Sequence, residues 1–379
     1  MKNLLLGCFV LLLGCQSPTQ STEKNYEKID EIFSHVKSNS PGYMVGIIQN
    51  EKYFFQKGYG LANLEHQIPI TSKTAFNIAS LSKQFTAACI AILILENKLT
   101  LEDNIRKYLP DFPKYQNEIQ LKHLMYMTSG INDYYYYTRK HGRDWSSLQF
   151  FDIDTAIVAS LGNDALMYPP GTQWSYSNIN FMLLTKVVEK VSGMSFAEFS
   201  KKKIFEPLEM NNTFVNDDIF QVIPNRAHNY NFRDEENTGW MKENGYLKSD
   251  AKGFLQIHRN SPHYGGSGIF TTMDDFKKWI DNFQNKKFGG QAFYDLMHQT
   301  MTFEHDKAND AFGLVHGELH EQSVVWYEGG DWGCSSYMVR FPKKNLTVVC
   351  FSNLGTGNAR KHAKDILQHF IDEKVIELD

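Results

Sequence analysis

Cysteine is scarce in this chain, five in 379 residues, too few for the disulfide framework that staples small secreted domains. Charge of one sign is missing as well. Lys and Arg number 39 against 43 Asp and Glu, a net charge of −4, without the basic excess of a nucleic-acid surface. No apolar run reaches the roughly 20 residues that a bilayer-spanning helix needs. The longest, Leu4 to Leu13, holds ten, and a mean hydropathy of −0.41 excludes a polytopic membrane protein. What is present is 42% hydrophobic, 14% aromatic and 22% charged residues. That is the composition of a sizeable soluble globular protein, too apolar for disorder.

The N-terminus reads as an address. Lys2 precedes the apolar run, Leu12-Leu13-Gly14-Cys15 ends it, and the polar segment 16–21 follows. The arrangement resembles a bacterial lipoprotein signal, in which the cysteine is acylated after cleavage and becomes the new N-terminus. It implies a signal over 1–14, lipidation of Cys15 and a tether over 15–24. The folded part would then be membrane-anchored and work outside the cytoplasmic membrane, facing the periplasm or the exterior. Two or more acyl chains anchor stably where one does not. An ordinary signal peptide that contains a cysteine is the alternative.

Beyond the tether the pattern is that of one domain, residues 25–379. Tyr26, Ile29, Ile32, Phe33 and Val36 recur at helical spacing. Segments 43–48 and 53–56 read as strands around Asn50-Glu51, a hairpin. An apolar helix is expected from about Ser80 to Glu96, then helix and irregular loop to about 240. Ser195 and Thr272 are expected to open helices as N-caps. Strands return at 323–327, 335–341 and 346–352, and a last helix carries Ile366, Leu367, Phe370 and Ile371 on one face. Strands at both ends with helices between imply an α+β fold. Its antiparallel sheet would come from about 25–79 and 250–379, with a largely helical insertion over 80–249. Cys334 and Cys350 flank the turn at 342–345. A disulfide there is admissible in an oxidising compartment, but their unequal offsets from the turn speak against it.

Chemistry-bearing residues concentrate in three segments. In Ser80-Leu81-Ser82-Lys83 a serine and a lysine share one helix face, a turn apart. A serine hydroxyl is a weak nucleophile until a neighbour accepts its proton. A lysine desolvated among Phe85, Ala87 and Ile90 loses its charge readily and serves as that acceptor. The helix N-terminus adds N–H groups for a developing oxyanion. By spacing alone this motif is weak, because Ser80 would equally serve as an N-cap. The second segment is Tyr176-Ser177-Asn178. Its tyrosine would relay protons if lysine charge lowered its pKa, and its amide would hold the lysine and a substrate carbonyl. The third is Trp326-Tyr327-Glu328-Gly329-Gly330-Asp331, where glycines beside a strand permit close approach of a substrate backbone.

The order S-x-x-K, Y-x-N and Gly-rich strand resembles the serine β-lactamase-like family. That family includes class C β-lactamases, D-Ala-D-Ala carboxypeptidases, D-aminopeptidases and β-lactamase-like esterases. Gly58–Glu65, Leu101–Asn104, Tyr108–Pro110, Leu124–Gly130, Pro207–Met210, Gly265–Thr272 and Arg340–Pro342 are similar to family segments too, so the likeness spans nearly the whole chain after the tether. It implies a β-lactamase/transpeptidase-like fold and an acyl-enzyme at Ser80. Lys83 and Tyr176 would share the base and acid roles, and Asn178 would orient Lys83 and substrate. The backbone N–H groups of Ser80 and Asp331 would form the oxyanion hole beside Gly329 and Gly330. No metal or organic cofactor is implied, and the expected partner is a small-molecule or peptide substrate.

Two positions depart from the family. Glu328 stands where it usually has lysine, histidine or occasionally tryptophan. A carboxylate there repels an anionic substrate by on the order of 4 kcal/mol at 4 Å and an effective dielectric of 20. The expectation is a substrate that is neutral or cationic near that strand, unless Glu328 turns away or pairs with Lys83. Met127 replaces a frequent histidine and reads as structural. Tyr134–Tyr137 read equally as a cleft rim or a packed cluster. His316 and His320 lie on a strand-and-turn pattern, not in the helical H-E-x-x-H order of a metal site. Two classes of function follow: a serine hydrolase acting through Ser80, or a catalytically weak or inactive relative that binds cell-wall peptides or a protein partner.

Overall fold

The computed structural model describes residues 20–134, 152–161, 165–234, 238, 242, 252–257, 264–303 and 306–373. The signal segment, Cys15 and Tyr135–Tyr137 lie outside the described residues.

Tyr43–Gln49 (β1) and Lys52–Tyr59 (β2) form the expected hairpin, slightly longer at its ends. Its turn residues Asn50 and Glu51 have φ of +50° and +60°, the type I′ geometry whose twist matches the flanking strands. Six further strands come from the C-terminal part of the chain: Met301–Phe303 (β3), Asp306–Asp310 (β4), Val315–Leu319 (β5), Gln322–Asp331 (β6), Cys334–Phe341 (β7) and Leu346–Ser352 (β8). Together they build an eight-stranded sheet in the order β3-β4-β5-β6-β7-β8-β1-β2. The two ends of the chain meet where β1 lies antiparallel to β8, with Tyr43 opposite Ser352 and Gln49 opposite Leu346. The α+β sheet built from both ends is therefore the one expected.

Strand alternation sorts the core into two layers. Val45 and Ile47 face one side with Val339, Val348 and Cys350. There Ile29 of helix α1 (Gln20–Ile32) and Phe33 just beyond it pack with Ile366, Leu367 and Phe370 of the last helix. Met44, Ile48, Met338, Val349 and Phe351 face the other side. They meet Phe85 and Ile90 of α2 (Lys83–Leu95), along with Phe276, Trp279 and Ile280 from the helix at 273–285. Residues Phe85 through Ala91 are all fully buried, so α2 is a core helix apolar on every side. Two more helices bear on the site, α3 (Asn178–Ser192) and α4 (Ala359–Asp372). Ser195 and Thr272 cap their helices as expected, accepting from the N–H groups of Glu198 and Asp275.

The structure corrects three local expectations. Helix α1 begins at Gln20, inside the segment read as tether. Ser80 lies on a 3₁₀ turn, Ala79–Ser82, and the α-helix starts only at Lys83. The region read as helix and loop contains short strands at 214–215 and 229–232. Two- to four-residue strands paired with distant segments carry no readable period. In line with the unequal offsets from the turn, Cys334 lies opposite Asp331, whereas Cys350 lies opposite Tyr337 and Val45. This register keeps the two cysteines apart, and both are buried.

Candidate active site

Ser80 is presented by a turn that distant segments hold in place. Ala79, just before it, has φ +47°, a left-handed conformation that costs a non-glycine residue on the order of 1 kcal/mol. The Asn77 side chain accepts from the Ala79 N–H at 3.0 Å. Ser336 on β7 donates to the Ile78 carbonyl at 2.7 Å, and Ser82 accepts from the Ile269 N–H at 3.1 Å. Strand β6 runs directly underneath. A Cβ on Gly329 would lie 2.9 Å from the Ser80 nitrogen and 2.5 Å from the Ile78 oxygen. Only glycine lets the strand approach the nucleophile's N–H this closely.

Lys83 is fully buried, with its ammonium nitrogen at the centre of four contacts. It lies 2.6 Å from the Gly266 carbonyl, 2.8 Å from Asn178 Oδ1, 2.6 Å from the Tyr176 hydroxyl and 3.2 Å from Ser80 Oγ. Desolvation in the core pushes its pKa down to about 7, against a smaller upward pull from the Asp133 charge. Gly266 and Asn178 offer only acceptors, so they claim two of its hydrogens in either protonation state. In the charged form the third hydrogen points to Tyr176. On deprotonation that position becomes a lone pair, and the phenol donates to it.

Tyr176 immediately precedes the N-cap residue of α3. The residue is 40% exposed, while its hydroxyl lies 2.6 Å from Ser80 Oγ and 3.3 Å from Asn178 Oδ1. Burial raises its pKa, and the negative charges of Asp133 and Glu328 raise it further. The expectation that lysine would lower it is overturned, because Lys83 itself is pushed toward neutrality. The phenol therefore stays protonated at neutral pH. Oxygen, phenol and amine form a path along which a proton passes from Ser80 through Tyr176 to Lys83.

Asp133, 45 residues from Asn178 in sequence, was not among the expected residues. One of its carboxylate oxygens accepts from both the backbone N–H of Asn178, at 2.6 Å, and its side-chain Nδ2, at 3.0 Å. Ser177 makes no side-chain cap hydrogen bond, and the carboxylate fills that role at the helix N-terminus. Because Nδ2 is committed to Asp133, Oδ1 must face Lys83.

The site opens into a cavity of about 580 Å³ whose lining includes Ser80, Trp174, Tyr176, Trp326, Glu328 and Arg360. Strand β6 runs through the whole expected motif, Glu328 to Asp331. Trp326 is its last residue paired with β5, which leaves 327–331 as an open edge along the cleft. The Asp331 carboxylate turns into the neighbouring loop, accepting from Trp332 N and from Ser267 Oγ. Glu328 pairs with Arg360 of α4, not with Lys83. Nothing in the sequence spacing pointed to Arg360, 32 residues away.

The remaining expected residues sort by packing. Met127 is buried, and its sulfur accepts from Asn180 Nδ2, which ties the 127–130 turn to α3. Tyr134 is fully buried, so it packs and does not rim the cleft. His316 lies on β5, with Nε2 3.0 Å from Nδ1 of His298, whereas His320 sits in the following turn at φ +49°.

The sheet and the core helix are those of the β-lactamase/transpeptidase-like fold of serine hydrolases. The chain belongs to the beta-lactamase family, whose model matches residues 24–372. It is similar to penicillin-binding protein 4* of Bacillus subtilis, 29% identical over 311 residues, covering 79% of this chain and 65% of that protein. The chain thus spans about two thirds of that relative's length. Solved structures share the fold, two of them as follows. The octameric penicillin-binding protein homologue from Pyrococcus abyssi has a TM-score of 0.76 at 22% identity, over 93% of this chain and 78% of that one. The D-amino acid amidase from Ochrobactrum anthropi SV3 has 0.74 at 18%, over 93% of this chain and 100% of that one.

Proposed function

We propose that this protein is a serine hydrolase that forms an acyl-enzyme at Ser80 and cleaves an ester, amide or peptide bond. The observation that carries the reading is the Ser80–Tyr176–Lys83 chain, with both hydrogen bonds at 2.6 Å and the amine near its neutral form at physiological pH. Ser80 Oγ attacks the carbonyl carbon as its proton passes through Tyr176 to Lys83 Nζ. The oxyanion is received by the N–H groups of Ser80 and Asp331, at the 3₁₀ turn and the open edge of β6. As the tetrahedral intermediate collapses, the C–N or C–O bond breaks and the proton returns along the same path to the leaving group. Water then attacks the acyl-enzyme, gives its proton to the path, and releases the acid with Ser80 restored. Asn178, held by Asp133, orients Lys83 and donates no proton in either step.

Fluorophosphonate and penicillin probes test this directly. At least one class is expected to add its mass to the tryptic peptide that contains Ser80. No adduct from either class overturns the reading and favours a non-catalytic binder of wall peptides or a protein partner.

The proposed setting is a membrane surface, reached through a lipid on Cys15. Among the described residues no helix is long and apolar enough to cross a membrane. Cys15→Ala is expected to move the protein from the membrane to the soluble fraction of a cell lysate. Unchanged sedimentation with membranes overturns the lipid anchor.

A further inference from the structure

Glu328 and Arg360 stand side by side in the wall of the cavity that holds Ser80. A single guanidinium nitrogen, Nη1, lies 3.1 Å from both Glu328 carboxylate oxygens. The guanidinium sits over the Trp326 ring at 4.9 Å and is 5.9 Å from the centre of Tyr337. Arg360 is in the first turn of α4, where the helix dipole disfavours a cation that lacks a countercharge. Both side chains remain about half exposed, 49% for Glu328 and 44% for Arg360, so any substituent entering the cavity meets both charges.

We infer that Glu328 is a resident counter-ion for Arg360, and that the closed pair restricts the Ser80 site to substrates uncharged where they meet this wall. The inference rests on the hydrolase reading and names the substrate class for it. An incoming carboxylate gains from Arg360 what it loses to Glu328, and an incoming ammonium meets the reverse. Neither ion recovers the water it gives up on entering, whereas an uncharged group gives up none of comparable strength. A carboxylate alone at this place would have turned away anions and admitted neutral or cationic groups, as the sequence implied. Arg360 cancels that preference. Removing either partner uncovers the other, so each single substitution is a specificity change of opposite sign.

Three 4-nitrophenyl esters read this out: butyrate, the monoester of succinic acid, and 4-aminobutyrate. Their acyl chains are of similar length and end in neutral, anionic and cationic groups. For the intact protein, kcat/KM for butyrate is expected to exceed both others at least tenfold. Glu328→Gln is expected to raise the succinyl-to-butyryl ratio at least tenfold. Arg360→Gln raises the 4-aminobutyryl-to-butyryl ratio by a similar factor, and the double variant loses both gains. Ratios cancel any general loss of activity in the variants. The gains shrink at high salt, as expected for charges that solvent reaches.

Ratios that stay within twofold in both single variants overturn the inference, as does a double variant that keeps either gain. If the protein hydrolyses none of the three esters, the hydrolase reading is what fails. The pair is then read by calorimetric binding of butyramide and succinamate to the same variants, where the Glu328→Gln ratio must still move toward succinamate.

Discussion

Ser80→Ala is expected to lower hydrolysis of any substrate by on the order of 10⁴-fold or more, the loss seen when the nucleophile of an acyl-transfer group is removed. Nothing nearby substitutes for it. Ser82, the next hydroxyl along the turn, is fully buried and committed to the Ile269 N–H. The fold should hardly notice the change. Ser80 Oγ bonds to Tyr176 and Lys83 within the catalytic cluster, and Tyr176 retains Lys83 and Asn178 as partners. Thermal midpoint and initial rates measured on one preparation separate the two effects. Residual activity above about one hundredth of the parent's would show that the chemistry runs through another residue.

The second large effect is on pH. Lys83 must be neutral to receive the proton, and its pKa is pushed down to about 7. The rate kcat/KM is therefore expected to climb tenfold per unit below pH 7 and level off above it, standing near one hundredth of its plateau at pH 5. Asp133→Asn removes a negative charge that favours the ammonium form, so the limb should move to lower pH. Lys83→Met should abolish the limb and cost roughly 10²- to 10⁴-fold in rate, the range for a general base. A limb near or above pH 10 would instead make the Tyr176 phenolate the base, contrary to the upward push on that group.

The same shift appears in stability. The unfolded lysine keeps its proton up to its ordinary pKa of 10.5, whereas the folded one releases it near 7. Between those values the unfolded state binds more protons, so the stability of the parent relative to Lys83→Met should rise with pH across that window. Below pH 7 both states hold the proton, and the burial penalty is present in full.

Local rules account for what was legible in advance. Ser80 and Lys83 lie three residues apart and Tyr176 and Asn178 two apart, so spacing made each pair a candidate, and the order of the motifs along the chain, through its likeness to a family, gave them their roles. The β1–β2 hairpin was visible because its turn and flanking strands are contiguous. The terminal helices showed because one apolar face recurs at their own period. Even the ten-residue β6 was only half seen, since Glu328-Gly-Gly-Asp331 carries no strand period and is held by its register with β7.

Residue order and short-range spacing thus pointed to the sheet-and-helix architecture, and with the family likeness to a serine, lysine and tyrosine that the fold brings together. Folding alone decided how those groups are charged. Burial of α2 on every side removes water from Lys83, and desolvation of Tyr176 raises its pKa where lysine charge would have lowered it. Asp133 reaches Asn178 across 45 residues and Arg360 reaches Glu328 across 32. Desolvation and long-range ion pairs depend on what surrounds a group in three dimensions. No spacing rule along the chain encodes them, so a residue that looked like an isolated negative charge is half of a closed pair.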